Sequence, residues 1–377
     1  MADWTVEQRE TRAVRTAEGR RWLGRPSLTA RPDGTWVLVF REAPRHAPTT
    51  DSSFHVAFSG DEGETWTDDD TALDGDAVEG FPHTRPGADV SDATVKHHDG
   101  DLLFHVIEEA APFDAPGNTW AGTRQLRSTD GGRSWTDEGL VDPEGAPPES
   151  VLLGQDHAVD PETGDLYEGV NYRTTGDPVA SKSGVLRTAD GGRSWEYVAD
   201  VTGVGDATGE VGLVFTGREL LALLRETETP ATLARRSPDA GETWGPLRDV
   251  TDELGVLQRP RPYTPADIGG DDGDGRLYAV GRAVRDLASG HDRGSDADRR
   301  HVRGSQHTAI AASADAGETW DGPYDLDEWG WPAPFGDCGY CDLRVRGDGT
   351  LYVVTYGGHS YEGPADLLVH VLDESTG

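Results

Sequence analysis

The chain has 377 residues, of which 69 are acidic and 34 basic, giving a formal net charge of −35 and a mean hydropathy of −0.61. An excess of carboxylate this large repels phosphate backbones and anionic headgroups, which excludes nucleic acid and anionic membrane surfaces as partners. No apolar run approaches the roughly 18 residues that a membrane span needs, so a soluble chain is expected.

Residues 1–24 contain no apolar signal core and no twin-arginine signal followed by one, so the expected location is cytoplasmic. Within and beyond this stretch, residues 5–16 (TVEQRETRAVRT) alternate enough to form a β-strand. From there a strand–turn–strand pattern with a glycine turn recurs six times. It appears as DGTWVLVF at 33–40, DGDLLFHV at 99–106, GDLYEGVNY at 164–172, GRELLALL at 217–224, DGRLYAVG at 274–281 and DGTLYVVTY at 348–356. Each run is alternating or continuously apolar, as in strands buried on both faces.

An octapeptide, Ser/Thr-x-Asp-x-Gly-x-Thr/Ser-Trp, follows each of the first five hairpins: SGDEGETW at 59–66, STDGGRSW at 128–135, TADGGRSW at 188–195, SPDAGETW at 237–244 and SADAGETW at 313–320. Its aspartates, Asp61, Asp130, Asp190, Asp239 and Asp315, are short enough to accept hydrogen bonds from backbone N–H groups ahead of them. The glycine takes the positive φ that folds the loop back, and the tryptophan returns a large apolar surface to the sheet. These aspartates are therefore predicted to be structural. The sixth hairpin is followed only by DLLVHVLD at 366–373, and 286–305 (DLASGHDRGSDADRRHVRGS) reads as a polar loop over one face.

Six hairpins and five decorated turns predict an all-β, six-bladed β-propeller of four-stranded antiparallel blades. It would be one domain over 1–377, its N-terminal strand pairing into the last blade to close the ring. Ligands of such a ring would sit where the inner strands converge.

On these motifs the chain resembles the sialidase (neuraminidase) superfamily of Asp-box propellers over nearly its full length. Arg25-Pro26-Ser27-Leu28 is similar to the family's Arg-Ile-Pro element, whose arginine binds the substrate carboxylate, although the isoleucine is missing. Phe40-Arg41-Glu42-x-x-Arg45 is similar to Ala-x-x-Glu-Gly-Arg. Asp51, eight residues before Ser59, stands where the family keeps its acid/base aspartate. Glu210 followed by Arg225 resembles the Glu-Pro…Arg pair. Gly339-Tyr340-Cys341-Asp342-Leu343 resembles the Gly-Tyr-Ser-x-Leu element of the tyrosine nucleophile, with cysteine in place of serine.

The resemblance implies a retaining exo-glycoside hydrolase without cofactor, acting on a carbohydrate that carries a carboxylate, such as a terminal sialic acid. Arginine forks suit that carboxylate, and a neutral phenol is not repelled by it as a carboxylate nucleophile is. A phenol near pKa 10 needs a base, so Tyr340 would act with Glu210, while Asp51 protonates the leaving oxygen. Arg25, Arg45 and Arg225 are the implied substrate ligands. The family's third carboxylate-binding arginine has no match in its usual strand, which leaves Arg282, Arg303, Arg259 and Arg261 as candidates.

Two other classes stay open. One is a carbohydrate-active lyase or non-sialic glycosidase on the same fold, in which His157 or His307 moves protons. The other is a propeller that binds glycans or proteins without turnover. The cysteines Cys338 and Cys341 form a single CxxC without a second ligand pair, so no metal site is expected there. With only Lys96 and Lys182 among its lysines, the composition resembles that of salt-in halophilic proteomes, and a solvated acidic surface is expected.

Overall fold

The computed structural model describes residues 4–17, 21–46, 52–68, 89–109, 120–147, 150–174, 181–203, 208–227, 230–271, 275–285, 305–326, 337–358 and 363–376. The loop expected at 286–305 lies almost entirely outside the described residues. Among the described residues, secondary structure is almost wholly β. The helical exceptions are one turn at Thr251–Leu254 and a 3-10 turn at Ala266–Ile268. No described helix is long and apolar enough to cross a membrane.

Four antiparallel sheets have four strands each, in sequence order. They begin with the strands Asp89–His98, Ser150–Val159, Thr208–Thr216 and Val256–Tyr263. The remaining strands form one nine-stranded sheet instead of two separate ones. Its halves are the strands from Trp22 to Asp68 and those from Asp337 to Thr376 with Trp4–Arg15 added. They meet through a single parallel pairing, Trp22 with Ala365. The N-terminal strand runs antiparallel to Ala365–Thr376, from Trp4 opposite Thr376 to Arg15 opposite Leu367. Ends and beginning of the chain are thus held together by main-chain hydrogen bonds.

The core lies between sheets. Val37, Val39, Phe54 and Val56 of the nine-stranded sheet pack on Val95, Phe104, Val106 and Trp135 of the next, and the Phe54 and Phe104 rings meet edge to face at 5.3 Å. Each such side chain contributes roughly 1.5–3 kcal/mol by burial, and both faces of a middle strand are covered. That is why hairpin segments such as 36–40 (WVLVF) read as unbroken apolar runs.

The five octapeptides adopt one geometry. The first hydroxyl donates to the aspartate at 2.8 Å, and that carboxylate accepts the backbone N–H and side-chain hydroxyl four residues on at 2.6–2.9 Å. The glycine has φ between 80° and 98°, and its N–H donates back to the first hydroxyl. Trp135, Trp195 and Trp320 are buried beneath their turns.

Candidate active site

Five strands that open an antiparallel pair share a defect. Pairing with the second strand slips between Gly24 and Ser27, Val90 and Ala93, Gly154 and Asp156, Thr208 and Val211, and Gln258 and Arg261. In the nine-stranded sheet the strand paired with Leu351–Gly358 is broken outright, Asp337–Cys338 resuming at Asp342–Val345. A bulge re-aims a side chain that regular pleating would send into the sheet. The residues released are Arg25, Asp92, Gln155, Glu210 and Arg259, and Tyr340 occupies the break. Arg25 and Arg259 sit at φ of 56° and 49°, a region costly for a residue with a Cβ.

All but Gln155, whose amide donates to the Leu153 carbonyl, come together. The Tyr340 hydroxyl donates to Glu210 Oε1 at 2.8 Å, and Arg225 Nη1 donates to both Glu210 oxygens at 2.9 Å. The guanidinium carbons of Arg282, Arg25 and Arg259 lie 4.3, 4.4 and 5.5 Å from the centre of the Tyr340 ring. Asp92 bridges two of them, accepting from Arg25 Nη1 and, at 3.0 Å, from Arg259 Nη1. Four guanidiniums thus face the three carboxylates Glu210, Asp92 and Asp337, leaving this pocket one positive charge in excess on a strongly acidic chain.

A second layer holds the arginines. His46 Nε2 is 2.6 Å from Arg25 Nη2, and since a guanidinium only donates, that nitrogen accepts. The other ring nitrogen, Nδ1, therefore carries the proton and donates to Asp337 at 2.7 Å. Trp22 Nε1 donates to the same carboxylate at 2.8 Å, as does Arg282 Nη2 at 3.3 Å. Arg282 also donates to the Cys338 carbonyl and to Tyr356.

Burial acts on every group here. It pushes the Tyr340 phenol up, reinforced by Glu210, while Arg282, Arg25 and Arg225 pull the other way. Burial also raises Glu210, but Arg225 and the Tyr340 hydrogen bond outweigh it and hold the carboxyl below its usual range. Asp92 ends below its usual range because Arg25 and Arg259 overcome its burial. His46 falls to about 3 through burial, with Asp337 opposing and Arg25 adding to the drop. Chemically, the site is a cluster of guanidiniums around a phenol whose proton already points at an ionised carboxylate.

Of the residues expected from the sequence, Tyr340, Glu210, Arg25, Arg225 and Arg282 are brought together. Asp51 and Arg303 lie outside the described residues. Arg45 is half-buried in the turn after strand Trp36–Ala43. Arg261 points to Asp342 at 2.8 Å and not to Tyr340. Asp61, Asp130, Asp190, Asp239 and Asp315 stay in their turns. Sequence reasoning did not find Asp92, His46 or Asp337, and held Arg259 only as one of several candidates. A signal for Arg259 was present: Arg-Pro occurs at 25–26 and again at 259–260, in each case at the register slip of its strand.

No family model matches the chain. A curated sialidase from Micromonospora viridifaciens is 30% identical over 154 residues, covering 36% of this chain and 22% of its own, so the chain spans about a fifth of that relative's length. A solved protein of unknown function from Dyadobacter fermentans superposes with a TM-score of 0.72 at 18% identity, covering 98% of this chain and 99% of the other. A Hadza microbial sialidase gives 0.65 at 16% identity, covering 96% and 68%. Trypanosoma rangeli sialidase in complex with the inhibitor DANA gives 0.62 at 14% identity, covering 98% and 60%.

Proposed function

We infer from this fold, which is that of the sialidase superfamily, that the chain is a retaining exo-glycoside hydrolase releasing a terminal sialic acid or related acidic sugar. The architecture behind that reading is a single six-bladed propeller. The nine-stranded sheet counts as its first and last blades, joined where Trp22 meets Ala365. The observation that carries the proposal is the 2.8 Å hydrogen bond from Tyr340 to Glu210 inside a ring of arginines.

In the proposed reaction the sugar carboxylate binds among Arg25, Arg225 and Arg282, where bidentate, permanently charged donors favour it. Tyr340 Oη attacks the anomeric carbon and its proton passes to Glu210. The bond to the leaving oxygen breaks as an acid, for which Asp51 is the candidate, protonates that oxygen. Water, deprotonated by the same group, then displaces Tyr340 from the glycosyl intermediate, and Glu210 returns the phenol proton, so configuration is retained. Asp92 does not suit the acid role, because two guanidiniums keep it ionised. It fits a part in positioning Arg25 and Arg259.

The test is turnover of a fluorogenic sialoside in molar salt, with Tyr340→Phe measured alongside. Hydrolysis by the wild type and its loss in the variant, with the sugar released as the retained anomer, is the expected result. Binding of an acidic sugar by both proteins without turnover across sialic, legionaminic and uronic conjugates would replace the hydrolase with a non-catalytic glycan-binding propeller.

A further inference from the structure

Away from the Tyr340 pocket, a second group of titratable side chains is buried between the sheet that starts at Asp89 and the sheet that starts at Ser150. His105 lies on strand Asp101–Glu109, and His157 and Glu168 are register partners on the first two strands of the neighbouring sheet. All three are buried, Glu168 completely, and their nitrogen and oxygen atoms lie within 4.8 Å of one another. We propose that His105, His157 and Glu168 form a binding site for a first-row divalent metal ion, with zinc as its best fit, that clips these two sheets together.

The hydrogen bonds behind His105 set its coordinating atom. The Gln125 carbonyl oxygen accepts the Trp195 indole N–H at 2.9 Å, while the Gln125 amide donates to the Gly192 carbonyl at 2.6 Å, which fixes which end of the amide faces where. His105 Nε2, 2.8 Å from that same oxygen, must therefore carry a proton and donate it. Nδ1 is left facing Glu168, 2.8 and 2.9 Å from its two oxygens. An imidazole whose far N–H is anchored to an oxygen while its near nitrogen meets a carboxylate is the arrangement that orients metal-bound histidines.

His157 supplies an independent observation. Its Nε2 is buried without a hydrogen-bond partner, and the nearest carboxylate oxygen, Glu168 Oε1, stands 3.7 Å away. A buried polar atom without a partner is costly, and a metal ion is one group that relieves it. Ligand atoms bound at about 2.0–2.2 Å in a tetrahedron sit roughly 3.3–3.6 Å apart, close to the 3.7 Å between His157 Nε2 and Glu168 Oε1. Room for the carboxylate comes from Gly154, where a Cβ would lie 1.9 Å from Glu168 Oε1. His157 also lines a small cavity with Lys96, Asp156, Arg261 and Tyr263.

Two imidazoles and one carboxylate select zinc and its neighbours over calcium or magnesium, which prefer all-oxygen shells. Binding replaces the His105 Nδ1 proton with the metal and releases that proton to solvent. The ion would then add to the contacts that already join the two sheets here, the hydrogen bonds of Gln125 with Trp195 and Gly192 and of His105 with Glu168.

The test is metal analysis and cobalt spectroscopy on the intact chain after chelation and reloading, beside His157→Ala and Cys338→Ser. Expected are one equivalent of zinc, a melting temperature raised by several degrees, and visible d–d bands from bound cobalt. His157→Ala should lower affinity at least tenfold, and Cys338→Ser should leave it unchanged. A folded wild type that takes up no stoichiometric zinc or cobalt overturns the proposal. So does undiminished binding by His157→Ala, or a thiolate-to-cobalt charge-transfer band that Cys338→Ser abolishes. Because the wild-type cobalt spectrum reports directly on ligand type, the outcome does not depend on whether His157→Ala folds.

Discussion

Carboxylates do opposite jobs at the two ends of the sheets. In the octapeptide turns, Asp61 or Asp130 is satisfied by groups two to four residues away, and it remains near solvent. In the Tyr340 pocket, Glu210 is held by Arg225, 15 residues on, and by Tyr340, 130 residues on, while Asp92 is held by Arg25 and Arg259, 67 and 167 residues away. Both kinds have depressed pKa values, so that property does not distinguish them. What separates them is burial and the distance along the chain to the partner. A local cap stabilises one turn, whereas a remote pair ties separate sheets together and stores charge where a ligand can use it.

Substitution should expose that difference, most strongly at the pair proposed to react, Tyr340 and Glu210. Glu210→Gln keeps the shape and can still accept from Tyr340, but it removes the proton acceptor. The rate constant kcat should fall by about 10²–10⁴-fold with KM much less changed. A matching drop for a turn variant such as Asp130→Asn would erase the distinction drawn here. Next comes Asp92→Ala, which leaves two buried guanidiniums without their shared counter-ion. Breaking such a pair costs about 3–5 kcal/mol, readable as a lower denaturant midpoint. An unchanged midpoint would mean that solvent already screens Arg25 and Arg259.

The second layer adds a pH dependence with a definite sign. His46 has a folded pKa of about 3 against an unfolded value near 6.5, so the unfolded chain takes up its proton first. Stability should therefore fall as pH drops from about 6.5 towards 3, and Asp337, lowered to about 2 by His46 and Arg282 despite its burial, steepens the loss below about 4. Denaturant midpoints at pH 7 and pH 5 measure this directly. His46→Gln should shrink the difference between them, and an equal difference in the variant would assign the acid sensitivity elsewhere.

The same contrast explains what was legible in the sequence. The octapeptides and the hairpin turns could be read because each is closed by contacts within a few residues, and the N-terminal strand because alternation and ring closure both called for it. Tyr340, Glu210, Arg25 and Arg225 were found through a family resemblance in the order of motifs, not through spacing, since no local rule brings residues 25, 210 and 340 together. Asp92 and His46 were missed because their partners are set by sheet packing and by bulges, which leave little mark on composition. The join at Trp22 and Ala365 was missed for a similar reason, as a single parallel pairing between chain-distant strands has no periodic signature.

The smallest effect is expected at the turns, and it tests whether their repetition hides a functional member. Asp130 accepts from Ser128, Arg133 and Ser134, and these bonds outweigh its partial burial and hold it below its usual pKa. Removing a charged acceptor from a mostly solvated site loses less than a buried bond would, because water replaces it, so Asp130→Ala should cost about 1 kcal/mol. That corresponds to a shift of roughly 1 °C in Tm for a chain of this length, with kcat/KM unchanged. The sign with pH is fixed as well. The contribution is complete above the unfolded aspartate pKa near 3.9 and disappears as pH falls through the lower folded value, so wild type and variant should converge in Tm only in strong acid. If Asp130→Ala instead lost activity at constant Tm, the turn would be part of the site and the local reading of the octapeptide would fail.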